Sequence, residues 1–118
     1  MRKIDFTCKK VTLKDLVQCN FNLNESEYQI FSRIMLSKKG MSVKELVEKV
    51  QKDRTTVQKI LIKLLNRGLL MKRQINLERG FMFVYFSKDK EEIIGEIEEN
   101  VEIYFKNLKE SLEKWKKQ

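Results

Sequence analysis

The sequence predicts a fold that is mainly α with a small β-hairpin (α+β). Three observations lead to this prediction. Helix start signals recur at short intervals up to residue 53, the spacing of apolar residues becomes that of β-strands after residue 68, and helical spacing returns from residue 89 onward. With 118 residues, of which 42% are hydrophobic, the chain has the apolar content for one core of modest size. We therefore expect a single domain over residues 1–118.

Cap residues predict where the first three helices begin. Thr12 can cap a helix that has Asp15 at its third position, and Asn24–Glu27 and Ser42–Glu45 have the spacing of capping boxes. The second helix is expected to end at Gly40, where a left-handed C-cap has no steric cost. The three helices are expected over residues 12–18, from 24 to about 38, and 42–50. The first of them is expected to bury Leu13, Leu16 and Val17.

A fourth helix begins only two residues later, with Asp53 as its N-cap and Gly68 as its stop. Its apolar residues recur at helical spacing and form one stripe, which consists of Val57, Ile60, Leu61, Leu64 and Leu65. When this stripe is buried, the opposite face of the helix must point outward. That face carries Arg54, Thr55, Gln58, Lys59 and Ile62.

The spacing of apolar residues changes after Gly68. The segments "LLMKRQIN" (69–76) and "FMFVYFS" (81–87) are rich in branched and aromatic residues. Between them lie four residues that end at Gly80, a residue suited to a turn. These segments predict the two strands of a β-hairpin.

A long helix is predicted over residues 89–118. Its apolar residues alternate in steps of three and four, as in a heptad repeat, and about 28 residues at about 1.5 Å each give roughly 42 Å of helix. A domain of this size does not need a helix of that length, so we expect part of it to form a homodimer interface. The alternative is that the stripe packs on its own domain. The expected interface residues are Ile94, Ile97, Val101, Tyr104, Phe105, Leu108, Leu112 and Trp115.

The net charge of +8 is distributed unevenly along the chain. Residues 1–52 carry eleven basic and six acidic groups, residues 53–80 carry seven and two, and residues 81–118 carry seven and nine. A basic centre followed by a more acidic helix predicts one surface for a polyanion and another for protein. A lysine-rich surface that meets only solvent is the alternative.

The order of helix, short turn, helix and hairpin is that of a winged helix-turn-helix. In that fold, the second helix of the pair enters the major groove of DNA. Residues 20–88 are expected to form the helix-turn-helix and wing core, and residues 89–118 the dimerisation helix.

The outward face of the fourth helix has side chains that suit a DNA groove. Gln58 can make two hydrogen bonds to an adenine edge, Arg54 can bind guanine or a phosphate, and the Thr55 methyl group can contact thymine. Lys59 and Lys63 are expected to contact phosphates.

The hairpin, or wing, is the second expected DNA contact. Arg79, beside Gly80 at the tip, can reach the narrow minor groove, and Lys72 and Arg73 on the first strand are expected near the DNA backbone. Ordinary solvated charges on a hairpin are the alternative explanation for each of these residues.

The chain resembles small archaeal winged-helix regulators of the TrmB and MarR types. The resemblance is carried by "NESEYQIFSRI", "SVKELVEKVQKDRTTVQKILIKLLNRGLL" and "NLERGFMFVYF", over roughly residues 20–88. Family members commonly open the recognition helix with Ser-Arg-Ser-Thr-Val. Here Asp53-Arg54-Thr55-Thr56-Val57 stands in that place, which adds Thr56 to the expected DNA contacts. The resemblance implies a dimer and a role in transcription.

Two features limit what the resemblance implies. No effector-binding domain like that of the longer TrmB proteins follows the wing, so sugar sensing is not expected. The wing also has no clear Asp-x-Arg pattern of the MarR type, which leaves the subfamily open.

The residues and the resemblance together predict a transcriptional regulator that binds double-stranded DNA sequence-specifically. Repression is the expected mode of regulation. A homodimer would present two recognition helices about 34 Å apart to an inverted repeat. The alternatives are a winged-helix module that binds RNA or protein, and an architectural DNA-binding protein of low sequence specificity.

Other functions are not indicated by the sequence. An enzyme is not expected, because there is no histidine, no phosphate-binding glycine loop, and no Ser or Cys with a recognisable base. No cofactor is indicated, and Cys8 and Cys19 are too few for a zinc site within one chain. No segment has the apolar length of a signal peptide or membrane span, so we expect a cytoplasmic protein with no membrane partner. A small-molecule effector is left open, since no polar cluster indicates one.

Overall fold

The computed structural model describes residues 4–5 and 10–118. This part of the chain forms five α-helices, a two-stranded sheet and a three-stranded sheet. The helices are α1 (Leu13–Phe21), α2 (Glu25–Leu36), α3 (Val43–Val50), α4 (Arg54–Asn66) and α5 (Lys90–Lys116). The strands are β1 (Ile4–Asp5), β2 (Lys10–Val11), β3 (Met41–Ser42), β4 (Leu70–Asn76) and β5 (Phe81–Ser87). The predicted fold class is confirmed.

The cap residues act as the sequence predicts. In the box of α2, the Asn24 side chain accepts a hydrogen bond from the Glu27 amide, and the Glu27 carboxylate accepts one from the Asn24 amide, both at 2.8 Å. The same reciprocal pair of bonds joins Thr12 to Asp15 and Ser42 to Glu45. These bonds satisfy backbone amides that the first turn of a helix leaves unpaired.

Two details near the first two helices were predicted wrongly. Leu13 was expected to be buried, but it is exposed, because the side of α1 that faces the core carries Val17, as predicted, and Phe21, while Leu16 is half-buried. The α2 helix ends at Leu36, and its C-cap is Ser37 rather than Gly40.

Gly40 serves the sheet rather than the helix. It has a left-handed backbone (φ 76°) in the turn that leads into β3. A Cβ atom at this position would lie 2.7 Å from carbon atoms of both Val84 and Phe86 on β5. The glycine therefore lets the turn approach β5 more closely than any other residue would allow.

The core lies between α2, α3, α4 and the base of the sheet. The stripe predicted for α4 is buried, except that Leu65 is only half-buried. Gly68 ends this helix with a left-handed backbone (φ 77°), and the Leu69 amide donates to the Leu64 carbonyl at 3.0 Å. This is the Schellman type of helix end, and it turns Leu69 into the core.

The wing forms as predicted and has one additional strand. β4 and β5 pair antiparallel from Leu70 opposite Ser87 to Asn76 opposite Phe81. The sheet order is β3-β5-β4, so β5 is the central strand. β3 was not predicted, because two residues have no detectable period and their pairing partner lies more than forty positions later, with Met41 opposite Tyr85.

Most of α5 extends away from the core. Ile93 and Ile97 are buried in the core cluster, and the Asn100 amide group donates to the Asn20 side-chain oxygen on α1 at 2.9 Å. Every residue from Glu98 to Gln118 is exposed. The molecule therefore measures 69 × 25 × 23 Å.

Candidate DNA-binding surface

The N-terminal half of α4 presents a polar and cationic face. The Asp53 carboxylate caps the helix by accepting from the Thr56 amide at 3.2 Å. Hydrogen bonds from Thr56 lower the pKa of Asp53, so the cap is ionised at neutral pH. The cap fixes the start of α4, which determines the residues that point outward.

The structure exposes the side chains predicted to face outward on α4, namely Arg54, Thr55, Gln58, Lys59 and Ile62. Among the side chains of residues 11–118, none hydrogen-bonds or forms an ion pair with Arg54, Gln58 or Lys59. Their donors and charges are therefore accessible to an external ligand.

Thr56 belongs to the cap rather than to the exposed face. It is half-buried, and its hydroxyl donates to the Asp53 carboxylate. Its expected contact with DNA is therefore less direct than those of Arg54 and Gln58, whose side chains have no such bond.

Lys63, predicted as a phosphate contact, is held within the protein. Its ammonium group donates to the Glu27 carboxylate at 2.8 Å and to the Asn22 carbonyl at 2.8 Å. This places an ion pair between α4 and the N-terminus of α2, beside the end of α1. Lys63 therefore links α4 to α2, and its predicted phosphate contact would compete with these two bonds.

The same contact explains why Glu27 is ionised although it is nearly buried. Burial by itself raises the pKa of Glu27, but hydrogen bonds from Lys63 and from the Asn24 backbone more than offset this effect and lower the pKa overall. One carboxylate thus caps α2 and anchors α4.

The wing carries its cations on both faces of the hairpin. Lys72 Nζ lies 4.7 Å from the centre of the Phe83 ring, and the Arg73 guanidinium carbon lies 5.3 Å from the centre of the Phe86 ring. Such contacts hold the cationic side chains along the strands. At the tip, Gly80 has a left-handed backbone (φ 83°), which closes the turn, and Arg79 beside it is exposed.

Exposed apolar residues at the wing tip were missed as part of the surface. Leu77 and Phe81 flank the Arg79 turn and are both at least half exposed, and Phe81 packs edge-on against Phe83. Phe81 was predicted only as a strand residue. The signal that could have revealed it is its position directly after Gly80, at the tip of the predicted hairpin.

The residues predicted for the dimer interface divide into two sets. Ile97 is only 8% exposed, because it packs in the core of its own chain, so little of its side chain is available to a partner. The other predicted residues are exposed, namely Ile94, Val101, Tyr104, Phe105, Leu108, Leu112 and Trp115.

Cys19 is a free, exposed thiol on α1, and Cys8 lies outside the described residues. In the part of the chain that the structure describes, no three Cys, Asp or Glu side chains cluster closely enough to hold a metal ion. No helix there combines the length and apolar character needed to cross a membrane.

Comparisons with known proteins agree with this geometry. Residues 17–91 match the model of the family described as the sugar-specific transcriptional regulator TrmB. An uncharacterized protein of Methanocaldococcus jannaschii is 36% identical over 104 residues, which cover 88% of this chain and 86% of that protein. A second uncharacterized protein of the same organism is 30% identical over 108 residues, covering 90% of this chain and 80% of that protein.

Solved structures show the same fold. A possible transcriptional regulator from Methanosarcina mazei has 25% sequence identity and a TM-score of 0.82, with 97% of each chain covered. S. aureus MepR, solved as a complex with DNA, has 15% identity and a TM-score of 0.58 over 86% of this chain and 84% of that chain. The second likeness supports the winged-helix fold alone.

Proposed function

Since the chain belongs to the TrmB family of transcriptional regulators, we propose that it is a homodimeric repressor that binds an inverted-repeat site in double-stranded DNA. The family and the fold are those of DNA-binding transcriptional regulators rather than of enzymes. The proposal adds that the protein represses transcription, that it is a homodimer, that its site is an inverted repeat and that it is located in the cytoplasm.

The exposed face of α4 carries this proposal. Gln58 and Arg54 offer the donors that read base edges in a major groove, and Lys59 offers a charge for the adjacent phosphates. Their side chains are accessible along one face of a rigid helix, since the opposite face is packed in the core. In its complex, the structurally similar MepR is bound to DNA.

The wing is proposed as a second DNA contact. Arg79 at the tip is exposed and is positioned by a turn in which the Leu77 amide donates to the Gly80 carbonyl at 3.0 Å. If Arg79→Ala changed neither the affinity for DNA nor its dependence on salt, the wing would not contact the duplex.

A binding experiment tests the proposed function. Sequences selected from a random duplex pool would be compared with a random duplex of the same length at one ionic strength by fluorescence anisotropy, with and without a single-stranded RNA competitor. We expect the selected sites to be inverted repeats, and we expect the protein to bind them at least about a thousandfold more tightly than random duplex.

The two alternatives predict different outcomes of the same experiment. An architectural protein would bind selected and random duplexes almost equally, with a steep dependence on salt. A module for RNA would prefer a single-stranded RNA competitor, and a module for protein would bind neither nucleic acid. Each of these results would contradict the proposal.

A further inference from the structure

We propose that the outer face of α5 pairs with the same face of a second copy of the chain in the antiparallel direction. This inference rests on the homodimer proposed above. It adds the direction and the register of the pairing.

Two apolar stripes run along neighbouring faces of α5. One stripe contains Ile93 and Ile97 and packs on the core. The other stripe, which we call the outer stripe, points away from the core and alternates in steps of four and three residues. It consists of Ile94, Glu98, Val101, Phe105, Leu108, Leu112 and Trp115.

The outer stripe differs from the interface predicted from the sequence. That interface included Ile97, which is packed in the core, and Tyr104, which lies beside the outer stripe. From Val101 onward, each position of the outer stripe is apolar and between 43% and 73% exposed. Exposed apolar residues in a heptad repeat are typical of a helix that packs against another helix.

An antiparallel register matches the outer stripe to itself. With the centre of the pair between residues 106 and 107, Phe105 faces the partner's Leu108, and Val101 faces the partner's Leu112. The symmetry of the pair repeats each layer on the other side of the centre. The last layer places Trp115 over the partner's Glu98, where the indole ring covers the aliphatic part of that side chain.

The charges along α5 favour the antiparallel direction. Residues 98–105 carry three glutamates and no basic residue, whereas residues 108–115, which face them in this register, carry two lysines and two glutamates. Antiparallel pairing therefore places each acidic segment against a segment without net charge that contains Lys109 and Lys114. Parallel pairing in register would place the two acidic segments against each other, which is repulsive.

One charged pair is placed across the proposed contact. Glu102 and Lys109 both line a shallow groove on α5 with Val101, Phe105 and Lys106. The two charged residues are seven positions apart, or about 10.5 Å along the helix axis, too far for an ion pair within one chain. In the antiparallel register, Glu102 and the partner's Lys109 lie on the same side of the contact and are offset by only about 3 Å along the axis, within reach of an ion pair.

The register also sets the separation of the two DNA-binding bodies. Ile93, which fixes α5 to the core, is about 20 Å along the axis from the centre of the pair. The two bodies would then be attached about 40 Å apart, close to the length of one turn of DNA, about 34 Å.

Charge reversal tests the direction of pairing. Glu102→Lys places like charges opposite each other twice in the dimer, so we expect the dimer Kd from sedimentation equilibrium to rise about tenfold. Adding Lys109→Glu should restore the Kd to within about twofold, because the pair is rebuilt with opposite polarity. Glu110→Lys, on the far side of the helix, is the matched control and should leave the Kd unchanged. If the dimer Kd of the double variant were raised by the effects of the two single variants added together, the proposal would be overturned.

Spin-label distances measure the geometry directly. Single-cysteine variants would be made with Cys8 and Cys19 replaced by serine. In the antiparallel pair, labels at Lys116→Cys are expected about 30 Å apart, while labels at Asn107→Cys near the centre are about 10 Å apart.

The outcomes separate this inference from the function on which it rests. Short distances at both labels would show a parallel dimer, which overturns the direction and leaves the homodimer intact. A monomer in sedimentation would overturn both. Duplex binding by the same samples, measured by anisotropy, reports the DNA-binding function separately from either result.

Discussion

Gln58 and Lys59 are neighbours on α4 with different chemistry toward DNA. The Gln58 amide can donate to and accept from one base, so its contribution depends on the sequence. We expect Gln58→Ala to weaken binding to a selected site about tenfold to a hundredfold and to leave binding to random duplex unchanged. Anisotropy titrations with both duplexes at one salt concentration measure this difference.

Lys59→Ala provides the matched control for that prediction. Its charge is exposed and meets phosphates that every sequence shares, so the variant should lose affinity for both duplexes by a similar factor. Its plot of log affinity against log salt should be shallower by about one unit. Equal losses for both duplexes in Gln58→Ala would mean that Gln58 does not read a base.

The Lys63–Glu27 contact makes stability depend on pH. The pKa of Glu27 is lowered in the folded chain, so its ionisation stabilises the fold above its unfolded pKa, and that stability is lost as the pH falls through the folded value. We therefore expect the Tm of the protein to exceed that of Glu27→Gln by a margin that shrinks from about pH 6 to about pH 3. Thermal melts followed by circular dichroism check this, and a constant margin would contradict it.

The ion pair of Lys63 is a contact that the sequence could not reveal at the residue scale. The position of Lys63 on the helix, near the outward face and close to the C-terminus of α4, fits a phosphate contact as well as an internal ion pair. The deciding fact is that Glu27 and the Asn22 carbonyl both lie within 2.8 Å of its ammonium group. Those partners lie thirty-six and forty-one positions earlier, and no local pattern reports such distances.

The elements themselves were largely predictable because their signals are local. A capping box is complete within four residues, and a stripe such as that of α4 within three turns, so both can be read without knowledge of the fold. β3 and the role of Gly40 could not be read in this way. Both depend on how closely one turn approaches β5, which only the packed chain determines.

Gly40 and Gly80 have the same backbone conformation but different surroundings, so substitutions at the two positions distinguish backbone strain from steric crowding. Gly40 and Gly80 both have φ near 80°, but a Cβ atom on Gly40 would clash with Val84 and Phe86, whereas one on Gly80 would meet nothing within 4 Å. Gly80→Ala should therefore cost about 1 kcal/mol of unfolding free energy, from strain alone. Gly40→Ala should cost about 1–3 kcal/mol more, because the sheet must shift. Urea denaturation of both variants measures the difference, and equal losses would rule out crowding at Gly40.

At the scale of the whole molecule, the sequence predicted a long helix with an interface but did not separate its two apolar stripes. Ile93, Ile94 and Ile97 all fit a heptad pattern, and only the packed structure shows that Ile93 and Ile97 are occupied by the core. When these two core residues are set aside, the exposed apolar residues from Val101 onward form the outer stripe. The fold was predictable because the residues that one chain buries follow the helical or strand period. Periodicity does not show which apolar residues of a long helix pack on its own core and which are left for a partner.

The dimer should determine how tightly the protein binds DNA. In a dimer, the two winged-helix cores bind two half-sites, and the second core binds at a high effective concentration once the first is bound. Loss of the dimer therefore lowers the affinity for DNA without changing either core. Leu108→Glu places a charge in the centre of the outer stripe, and we expect a monomer whose affinity for an inverted repeat falls about a hundredfold or more, to that of a single half-site. Its circular dichroism spectrum should stay that of the folded parent, because Leu108 lies outside the core, while its Tm should fall only by the stabilisation that the partner supplies.

Ile103→Glu is the matched control for Leu108→Glu. Ile103 is similarly exposed but lies about 140° around α5 from Leu108, off the outer stripe, so the same change of charge should leave both the dimer and its DNA affinity intact. Sedimentation and anisotropy on the two variants check this contrast. A monomeric Leu108→Glu protein that binds the inverted repeat as tightly as the parent would mean that one body suffices for recognition, and a dimer lost equally in Ile103→Glu would mean that the contact uses another face of α5.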